Sequence, residues 1–318
     1  MAKYLIRRVV EMAITLFLIG TSTFFLLSAI PGNAIDRKIQ KLPEKTKQVI
    51  IAKYGYDKPV MERYLITLNN YIVKGEFGES LVRAGDSVSS IVEKKMPISA
   101  RLGSQQLIVG VSLGIILGIV AAMNRGKAID YIILVGVMIL ISAPTLVISL
   151  LLQKYLAKGA IFNLPIIGWP KGAELWFGGW RYTILPTIAG AAGYLASYAR
   201  LTKTSMLDSI NQEYTLTARS KGLSEFAIVA KHVLRNSFIP IVTVLPVSVS
   251  GVISGTLFIE KVFAIPGAGQ YFIQATTDRD VPILMGLTLI YALVYLIAIF
   301  VSDILYSVVD PRIKLVRK

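Results

Sequence analysis

The side chains that most often carry chemistry are scarce in this chain of 318 residues, which has no Cys and one His, His232. Without a thiol, the chain cannot form a disulfide, a thiolate nucleophile or a Cys-ligated metal or iron–sulfur site. A single imidazole cannot build a multi-histidine metal site, so His232 is interpreted as an ordinary polar surface residue. We therefore predict no catalytic residue, no metal site and no cofactor held by this chain itself.

The most informative polar stretch reads as a helix–turn–helix over residues 208–236. Gly222 suits the position just after a helix because glycine adopts a positive φ without penalty, and Ser224 can cap a second helix over residues 225–235. A short helix that ends in a sharp turn suits docking to a partner. The alternative, a linker that is basic only for membrane topology, stays open on composition alone. The candidate docking residues are Thr217, Ala218, Arg219, Ser220, Lys221, Gly222, Leu223, Ser224 and Glu225.

A second candidate site follows Glu260 and contains Pro266, Gly267 and Gly269. The Pro-Gly pair predicts a tight turn in which Gly267 has a positive φ. Such a turn either simply connects two helices or also plugs a vestibule and acts as a gate. Further along, the neighbouring charges Arg279 and Asp280 are expected to form a solvated ion pair rather than a site.

The elements that must position these residues are suggested by the composition. The chain is 54% hydrophobic and 17% charged, with a mean hydropathy of +0.62. Soluble domains carry about 25% charged residues, and here the apolar residues gather in long charge-free runs. Runs of roughly 18 residues or more are long enough to span a bilayer. These features exclude a disordered chain, a collagen-like fibre and a disulfide scaffold, and they predict an all-α membrane protein.

Six segments are predicted to be transmembrane helices, at residues 9–30, 102–124, 131–152, 184–198, 238–259 and 281–301. Pro144 is expected to kink the third segment. In the second segment, Gly110, Gly114 and Gly118 recur every four residues and therefore lie on one helix face. This spacing predicts close approach of a neighbouring helix, as plain tight packing or as a sliding interface.

The net charge of +15 is attributed to membrane topology rather than to nucleic acid, because Lys and Arg accumulate in cytoplasmic loops. Short basic segments occur at both termini, between the second and third spans, and between the fourth and fifth spans, all on one side. Both termini are therefore predicted to be cytoplasmic. The predicted organisation is a first span with a long extracellular loop (1–101), a core (102–309) with a cytoplasmic loop (200–237), and a tail (310–318).

Ionisable residues are not expected in the middle of any span. Ion-coupled carriers usually keep such residues at mid-membrane, because a charge there is costly and is retained for function. The energy for any transport is therefore predicted to come from outside the spans. A wide, neutral pathway fits this composition better than an ion-selective one.

The polar stretch contains the pattern Tyr214-x-x-Thr217-Ala218-Arg219-Ser220-Lys221-Gly222-Leu223-Ser224, followed by His232-x-Leu234-Arg235-Asn236-x-x-Ile239-Pro240. This pattern resembles the "EAA" loop of bacterial ABC-importer permeases, and more narrowly the first permease subunit of the peptide/nickel subfamily. Where the general pattern has its name-giving Glu, this chain has Leu216. Similarity to the subfamily continues, in chain order, at Pro31-Gly32-Asn33, Gly75-Glu76-Phe77-Gly78, Glu260-x-Val262-Phe263-x-x-Pro266-Gly267-x-Gly269 and Asp310-Pro311-Arg312.

The resemblance implies a type I ABC importer permease fold in a bacterial cell membrane and ATP-driven import of oligopeptides or dipeptides. It also implies a homologous second permease subunit, two cytoplasmic ABC ATPases that bind ATP and Mg²⁺, and an extracellular or periplasmic substrate-binding protein. Because the chain has no G-x-x-x-x-G-K-[ST] loop, ATP hydrolysis is left to the partners. The residues from Thr217 to Glu225 would then couple the chain to an ATPase. Glu260, Pro266, Gly267 and Gly269 would form an outer gate.

Three alternatives stay open at this point. Within the family, the cargo could be nickel or another small solute, since the binding protein sets most of that choice. From other classes, the chain could be an ion-coupled secondary transporter, or a membrane scaffold or receptor that transports nothing. The secondary transporter would need a coupling-ion site, which the sequence does not show, and the scaffold or receptor would leave the pattern around Gly222 unexplained.

Overall fold

The structure of the protein is a computed structural model that describes residues 2–30, 43, 48–49, 51–52, 55–83, 85–157, 163–170, 178–254 and 256–309. Within these ranges the regular structure is helical, apart from an isolated β-bridge between Glu79 and Ser87. The predicted all-α fold is confirmed. Pro31-Gly32-Asn33 and the tail at 310–318, with Asp310-Pro311-Arg312, lie outside the described residues.

The helices are numbered here in chain order. They are α1 (Ala2–Ala29), α2 (Val60–Asn69), α3 (Val88–Lys94), α4 (Met96–Met123), α5 (Ala128–Ser142), α6 (Thr145–Leu152), α7 (Trp180–Ile210), α8 (Glu213–Ser220), α9 (Glu225–Ile228), α10 (Leu234–Ser254), α11 (Leu257–Val262), α12 (Ala268–Asp278) and α13 (Val281–Val309). Single π-helical turns extend three of them: Asn70–Lys74 follows α2, Gln153–Ala157 follows α6, and Val229–Val233 joins α9 to α10.

Four helical runs are long and apolar enough to cross a membrane: α1, α4, the continuous run from α9 into α10, and α13. The pair α5 and α6 passes the same test as one span, with a bend of 105° between the two helices. Pro144 causes this bend because it keeps the preceding residue, Ala143, in an extended conformation with ψ of 123°. The predicted kink is therefore confirmed.

The fourth predicted span lies within α7, which is 31 residues long. This helix is less apolar than the helices of the other predicted spans because its middle is rich in Gly, Ala and hydroxyl-bearing residues. Such residues are typical of helices that pack closely against other helices in a membrane. Each of the six predicted segments therefore overlaps a helix or, for the third, a bent helix pair.

By packing, the chain divides into two units, residues 1–98 with 267–297 and residues 99–266 with 298–318. In the first unit, α3, α12 and the start of α13 share an apolar cluster of Val88, Ile91, Ala268, Ala275, Ile283 and Leu287. Gly286 permits this packing, since a Cβ there would lie 2.5 Å from Val88 Cγ2. Phe24 of α1 joins the same unit through Tyr64 and Met285. The functional division predicted from the sequence, into residues 1–101, 102–309 and 310–318, stays a prediction.

The second unit is built around α7. Gly110, Gly114 and Gly118 of α4 lie so close to α7 that a Cβ on any of them would come within 2.7 Å of an α7 atom. Only glycine permits this approach, so the predicted close packing is confirmed. α5 lies against α7 as well, through a cluster that includes Val137, Ala196 and Ala199.

Candidate functional site

We call residues 213–233 the α8–α9 segment; it comprises α8, the turn at Lys221 and Gly222, α9 and the π-helical turn that follows. Gly222 has a φ of +78°. The N–H groups of Leu223 and Gly222 donate to the carbonyls of Ala218 (3.3 Å) and Arg219 (3.0 Å). These two bonds form the Schellman motif, which satisfies the last carbonyls of a helix. Gly222 therefore ends α8 as predicted.

The second helix of this segment begins with the predicted cap. The Ser224 hydroxyl accepts a hydrogen bond from the Ala227 N–H at 3.3 Å. An ion pair spans the turn, because Arg219 Nε and Nη2 donate to Glu225 Oε1 at 2.7 Å and Oε2 at 3.1 Å. The bond to Glu225 raises the pKa of Arg219 above its ordinary value. All these contacts join residues close in sequence, so the turn is defined locally.

One expectation about this segment was wrong: the second helix does not end near residue 235. α9 continues through the π-helical turn Val229–Val233 directly into α10. The reason is that no helix-breaking residue separates Glu225 from Pro240, and α10 accommodates Pro240 within its length. The α8–α9 segment is therefore continuous with a long apolar helix, with no loop between them.

The inner face of the α8–α9 segment packs on the ends of three long helices. Its core cluster is Ala122 of α4, Met206 of α7, and Ala218, Ile228 and Val233 of the segment itself. Polar bonds add to this packing. The Thr215 hydroxyl donates to the Ser209 carbonyl at 3.0 Å, and Ser237 of α10 donates to the carbonyl of Val233 at 2.7 Å. A displacement of the segment would therefore be passed to α4, α7 and α10.

The outer face of the segment combines polar and large apolar side chains. Among the candidate residues, Ala218 is buried and Leu223 is partly buried, whereas Thr217, Arg219, Ser220, Lys221, Gly222, Ser224 and Glu225 are exposed. Sequence reasoning missed two exposed apolar neighbours, Leu216 at 55% and Phe226 at 78% exposure. Aromatic side chains are frequent energetic centres of interfaces. For Leu216, its departure from the general family pattern is a sequence signal that could have indicated this residue.

A part-buried ion pair lies at the same end of the second unit as the α8–α9 segment and was not predicted. Lys203 of α7 bonds to Asp130 in the first turn of α5, and the Gly126 N–H donates to the other Asp130 oxygen at 3.1 Å. The two side chains are 13% and 5% exposed. The pair fixes the start of α5 to α7, seven residues before α7 ends at Ile210.

The stretch from α11 to Pro266 belongs to the second unit. Glu260 is buried, and its carboxylate accepts a hydrogen bond from the Thr256 hydroxyl at 2.7 Å. The Ile265 N–H donates to the Glu260 carbonyl at 2.9 Å, which closes a Schellman motif at the end of α11. Distant segments hold the stretch: the Gly168 N–H donates to Phe263 O at 2.9 Å, and Gln153 Nε2 donates to Val262 O at 3.0 Å.

The predicted conformation of Gly267 was wrong. Gly267 has φ of −89° and ψ of 173°, and it caps α12 in the first unit, where Gly269 lies buried in the first turn. The residue with a positive φ is Ala264, at +50°. The chain turns earlier than predicted, because the end of α11 requires the left-handed conformation two residues after Val262. Whether Glu260, Pro266, Gly267 and Gly269 form a gate stays a prediction.

Asp280 also differs from its predicted solvated state. It is 3% exposed, and its carboxylate accepts hydrogen bonds from the Ser80 hydroxyl and, at 3.1 Å, from the Leu81 N–H. Arg83 and Asp278 form a second link at 3.1 Å within the same unit. These bonds fix the stretch around Ser80 to the start of α13. In the part of the chain that the structure describes, no group of three His, Asp or Glu side chains could hold a metal ion.

Comparison with known proteins bears on what this arrangement does. Residues 114–315 match the family described as binding-protein-dependent transport system inner membrane component, and residues 1–101 match the N-terminal family of the same membrane components. The dipeptide transport system permease protein DppB of Bacillus subtilis is 36% identical over 319 residues, with both chains fully covered. The oligopeptide transport system permease protein OppB of Escherichia coli is 31% identical over 314 residues, covering 99% of this chain and all of that one.

A solved structure supports the fold. A crystal structure of an amino acid ABC transporter with histidines matches with a TM-score of 0.52, covering 71% of this chain and 95% of the other. At 16% sequence identity, this similarity concerns the arrangement of helices alone. It agrees with the type I importer permease fold implied by the sequence resemblance.

Proposed function

Because the chain belongs to the family of binding-protein-dependent transport system inner membrane components, we propose that it is a permease subunit of an ATP-driven importer of oligopeptides or dipeptides. The cargo is proposed from relatives that are named dipeptide and oligopeptide permeases and align over the full length of the chain. The coupling mechanism rests on one observation: the turn of the α8–α9 segment is exposed, while the inner face of the segment packs on the ends of three long helices.

In this proposal the chain is the non-catalytic part of a larger assembly. Two cytoplasmic ATPases bind ATP and Mg²⁺, a homologous second permease completes the pathway, and an extracellular or periplasmic protein delivers the peptide. The lack of a phosphate-binding loop in the chain supports this division, since nucleotide chemistry needs such a loop. The basic segments support an orientation with both termini in the cytoplasm.

The α8–α9 segment would transmit the motion of the ATPases. Leu216 and Phe226 would enter a cleft of one ATPase, with Lys221 and Gly222 at the tip of the contact. When ATP binding closes the ATPases, the segment would move as one body because local bonds fix its shape. Met206 and Val233 would carry that motion to α7 and α10, since both belong to the cluster beneath the segment.

The outer gate is proposed on narrower grounds. Glu260 and Pro266 lie in a stretch whose hydrogen bonds come from residues near 153 and 168. A rearrangement of α6, which precedes Gln153, would therefore change the position of this stretch. Gly267 and Gly269 follow at the start of α12 and are included because the turn and the helix form one continuous segment of chain.

The function is tested by co-expressing this chain with the second permease, the ATPases and the binding protein encoded beside it, and by reconstituting the complex in liposomes. We expect ATP-dependent uptake of radiolabelled dialanine or trialanine that requires the binding protein. Nickel uptake without peptide uptake would contradict the peptide assignment. Uptake of either cargo without ATP, driven by an ion gradient, would contradict the importer assignment.

A further inference from the structure

The second unit contains a cavity of about 450 Å³ between α4, α6, α7, α10 and α11. This volume lies within the range of roughly 300–1,000 Å³ found for ligand sites in proteins. Its polar lining comes from Gln106, Thr145, Tyr194, Ser197, Tyr198 and Ser248. None of its described lining residues is Asp, Glu, Lys, Arg or His. The cavity is therefore uncharged, with a few polar groups in a mainly apolar wall.

The polar groups of the cavity fall into two sets. One set is internally paired: the Tyr198 and Ser248 hydroxyls bond to each other at 2.8 Å, and the Tyr194 hydroxyl donates to Ser248 O at 3.4 Å. The other set is available. Among the described residues, nothing donates to the carbonyl oxygen of Gln106, and the Ser197 hydroxyl has no hydrogen-bond partner. The cavity thus offers an acceptor and a hydroxyl to a ligand.

Gln106 is held in a defined orientation. It is only 2% exposed, and its Nε2 donates to Pro186 O at 3.1 Å. Gly190 makes room for this side chain, since a Cβ at Gly190 would lie 2.1 Å from Gln106 Cδ. One turn further along α7, Gly193 lines the cavity, and a Cβ there would meet nothing within 4 Å. The lack of a side chain at Gly190 therefore allows Gln106 to pack against α7, whereas the lack of a side chain at Gly193 leaves part of the cavity empty.

An acceptor that lines the cavity and receives no hydrogen bond from the described residues favours a ligand that supplies a donor. The lack of charge gives a free amino or carboxyl terminus no counter-ion here, so the charged ends of a short peptide such as trialanine must lie outside the cavity. The main chain of a peptide meets both conditions, since each residue offers one N–H and one C=O.

We propose that this cavity holds a short stretch of peptide in transit and binds it through its main-chain amides. The Gln106 carbonyl accepts a peptide N–H, and the Ser197 hydroxyl donates to a peptide C=O. Side chains of the cargo are then tolerated without being recognised, as a carrier of varied peptides requires. This inference rests on the proposed function and adds where within the chain the cargo is bound.

The test compares two helical glycines in the reconstituted complex. Gly193→Leu places a large side chain in the cavity, and Gly136→Leu places the same side chain on α5, where a Cβ also meets nothing within 4 Å. Both changes improve helix propensity, so both variants are expected to fold. The readouts are uptake of labelled trialanine and ATP hydrolysis stimulated by the loaded binding protein.

We expect Gly193→Leu to lower trialanine uptake by about tenfold or more while stimulated ATP hydrolysis persists, with Gly136→Leu unchanged in both. Ser197→Ala, which removes a hydroxyl without creating a buried cavity, should lower uptake a few-fold. Wild-type uptake by Gly193→Leu would overturn the inference, and so would equal losses in the Gly136 variant. Loss of both uptake and ATP hydrolysis in Gly193→Leu would also overturn it, since that result indicates a defect in assembly or coupling.

The same experiment separates this inference from the proposed function. If the wild-type complex does not take up trialanine or dialanine, the proposed peptide function fails and the peptide assignment of the cavity fails with it. If the wild type takes up trialanine and Gly193→Leu does so equally well, the cavity inference alone fails.

Discussion

The ends of α8 and α11 have the same backbone motif but are stabilised in different ways. α8 ends at Gly222 with a φ of +78°, and the bonds that fix the turn join residues within the α8–α9 segment. α11 ends at Ala264 with a φ of +50°, and Gly168 and Gln153, far away in sequence, bond to the carbonyls of Phe263 and Val262. The first turn is therefore autonomous, and the second depends on the packing around it.

This difference fits the two roles proposed for these regions. A turn that is fixed locally keeps its shape when a partner pushes on it, which suits transmission of force from an ATPase. A turn whose strained residue is held by distant segments responds when those segments move, which suits a gate. Left-handed backbone costs a non-glycine residue roughly 1–2 kcal/mol, so Ala264 keeps its conformation only while its surroundings impose it.

The largest effect is expected from Gly222→Val. A Cβ at Gly222 would meet nothing within 4 Å, so the change acts through backbone strain alone, which is severe for a β-branched residue at positive φ. The turn should distort, and ATP hydrolysis stimulated by substrate should fall together with uptake by about tenfold or more. Gly75→Val is the control, because Gly75 has a φ of +68° and equal space around it. Wild-type uptake and ATP hydrolysis in Gly222→Val would contradict the coupling role of the α8–α9 segment.

A second effect is expected from Asp130→Asn, which leaves Lys203 charged and without its carboxylate in a part-buried position. Removing one partner of a fully buried ion pair costs roughly 3–5 kcal/mol; this pair is part-buried, so the cost should be smaller, and the melting temperature of the purified complex should fall. The double variant Asp130→Asn with Lys203→Met should recover most of that loss, since no unpaired charge then remains. A double variant as unstable as the single one would show that the loss of the bond between α5 and α7, and not the unpaired charge of Lys203, causes the instability.

An intermediate effect is expected from Gln153→Leu. This change removes the hydrogen bonds to the carbonyls of Ile166 and Val262, both at 3.0 Å, and each such bond contributes about 1 kcal/mol. The stretch that ends α11 should loosen, so uptake should fall a few-fold while stimulated ATP hydrolysis is kept. If ATP hydrolysis falls in parallel with uptake, the stretch that ends α11 and the α8–α9 segment do not have separate roles.

The smallest effect is expected from Ala264→Gly, which relieves the left-handed conformation of an exposed residue. Stability should stay level or rise by up to about 1 kcal/mol, the strain relieved being partly offset by the greater freedom of glycine in the unfolded chain. The measurement is the thermal unfolding of the complex. A clear loss of stability would show that the Cβ of Ala264 contributes packing that outweighs its strain.

The contrast between local and distant contacts also explains which features could be predicted from the sequence. Gly222 and Ser224 were predicted correctly because their partners lie within five residues of them in the chain. Ala264 could not be predicted, since the Pro-Gly pair that begins two residues later gives a stronger turn signal. Asp280 and Ser80 are separated by 200 residues, and Lys203 and Asp130 by 73. Pairs this distant have no local pattern, so their burial was visible only in the fold.

The α8–α9 segment is proposed to bind an ATPase, and this contact can be tested directly. The chain has no Cys, so a single introduced Cys can carry a maleimide-linked photo-crosslinker in the assembled complex. We expect Lys221→Cys to crosslink to an ATPase subunit, and Met61→Cys of α2, in the loop predicted to be extracellular, to form no such crosslink. Crosslinking of the ATPase from position 61 and not from position 221 would contradict both the coupling role and the proposed orientation.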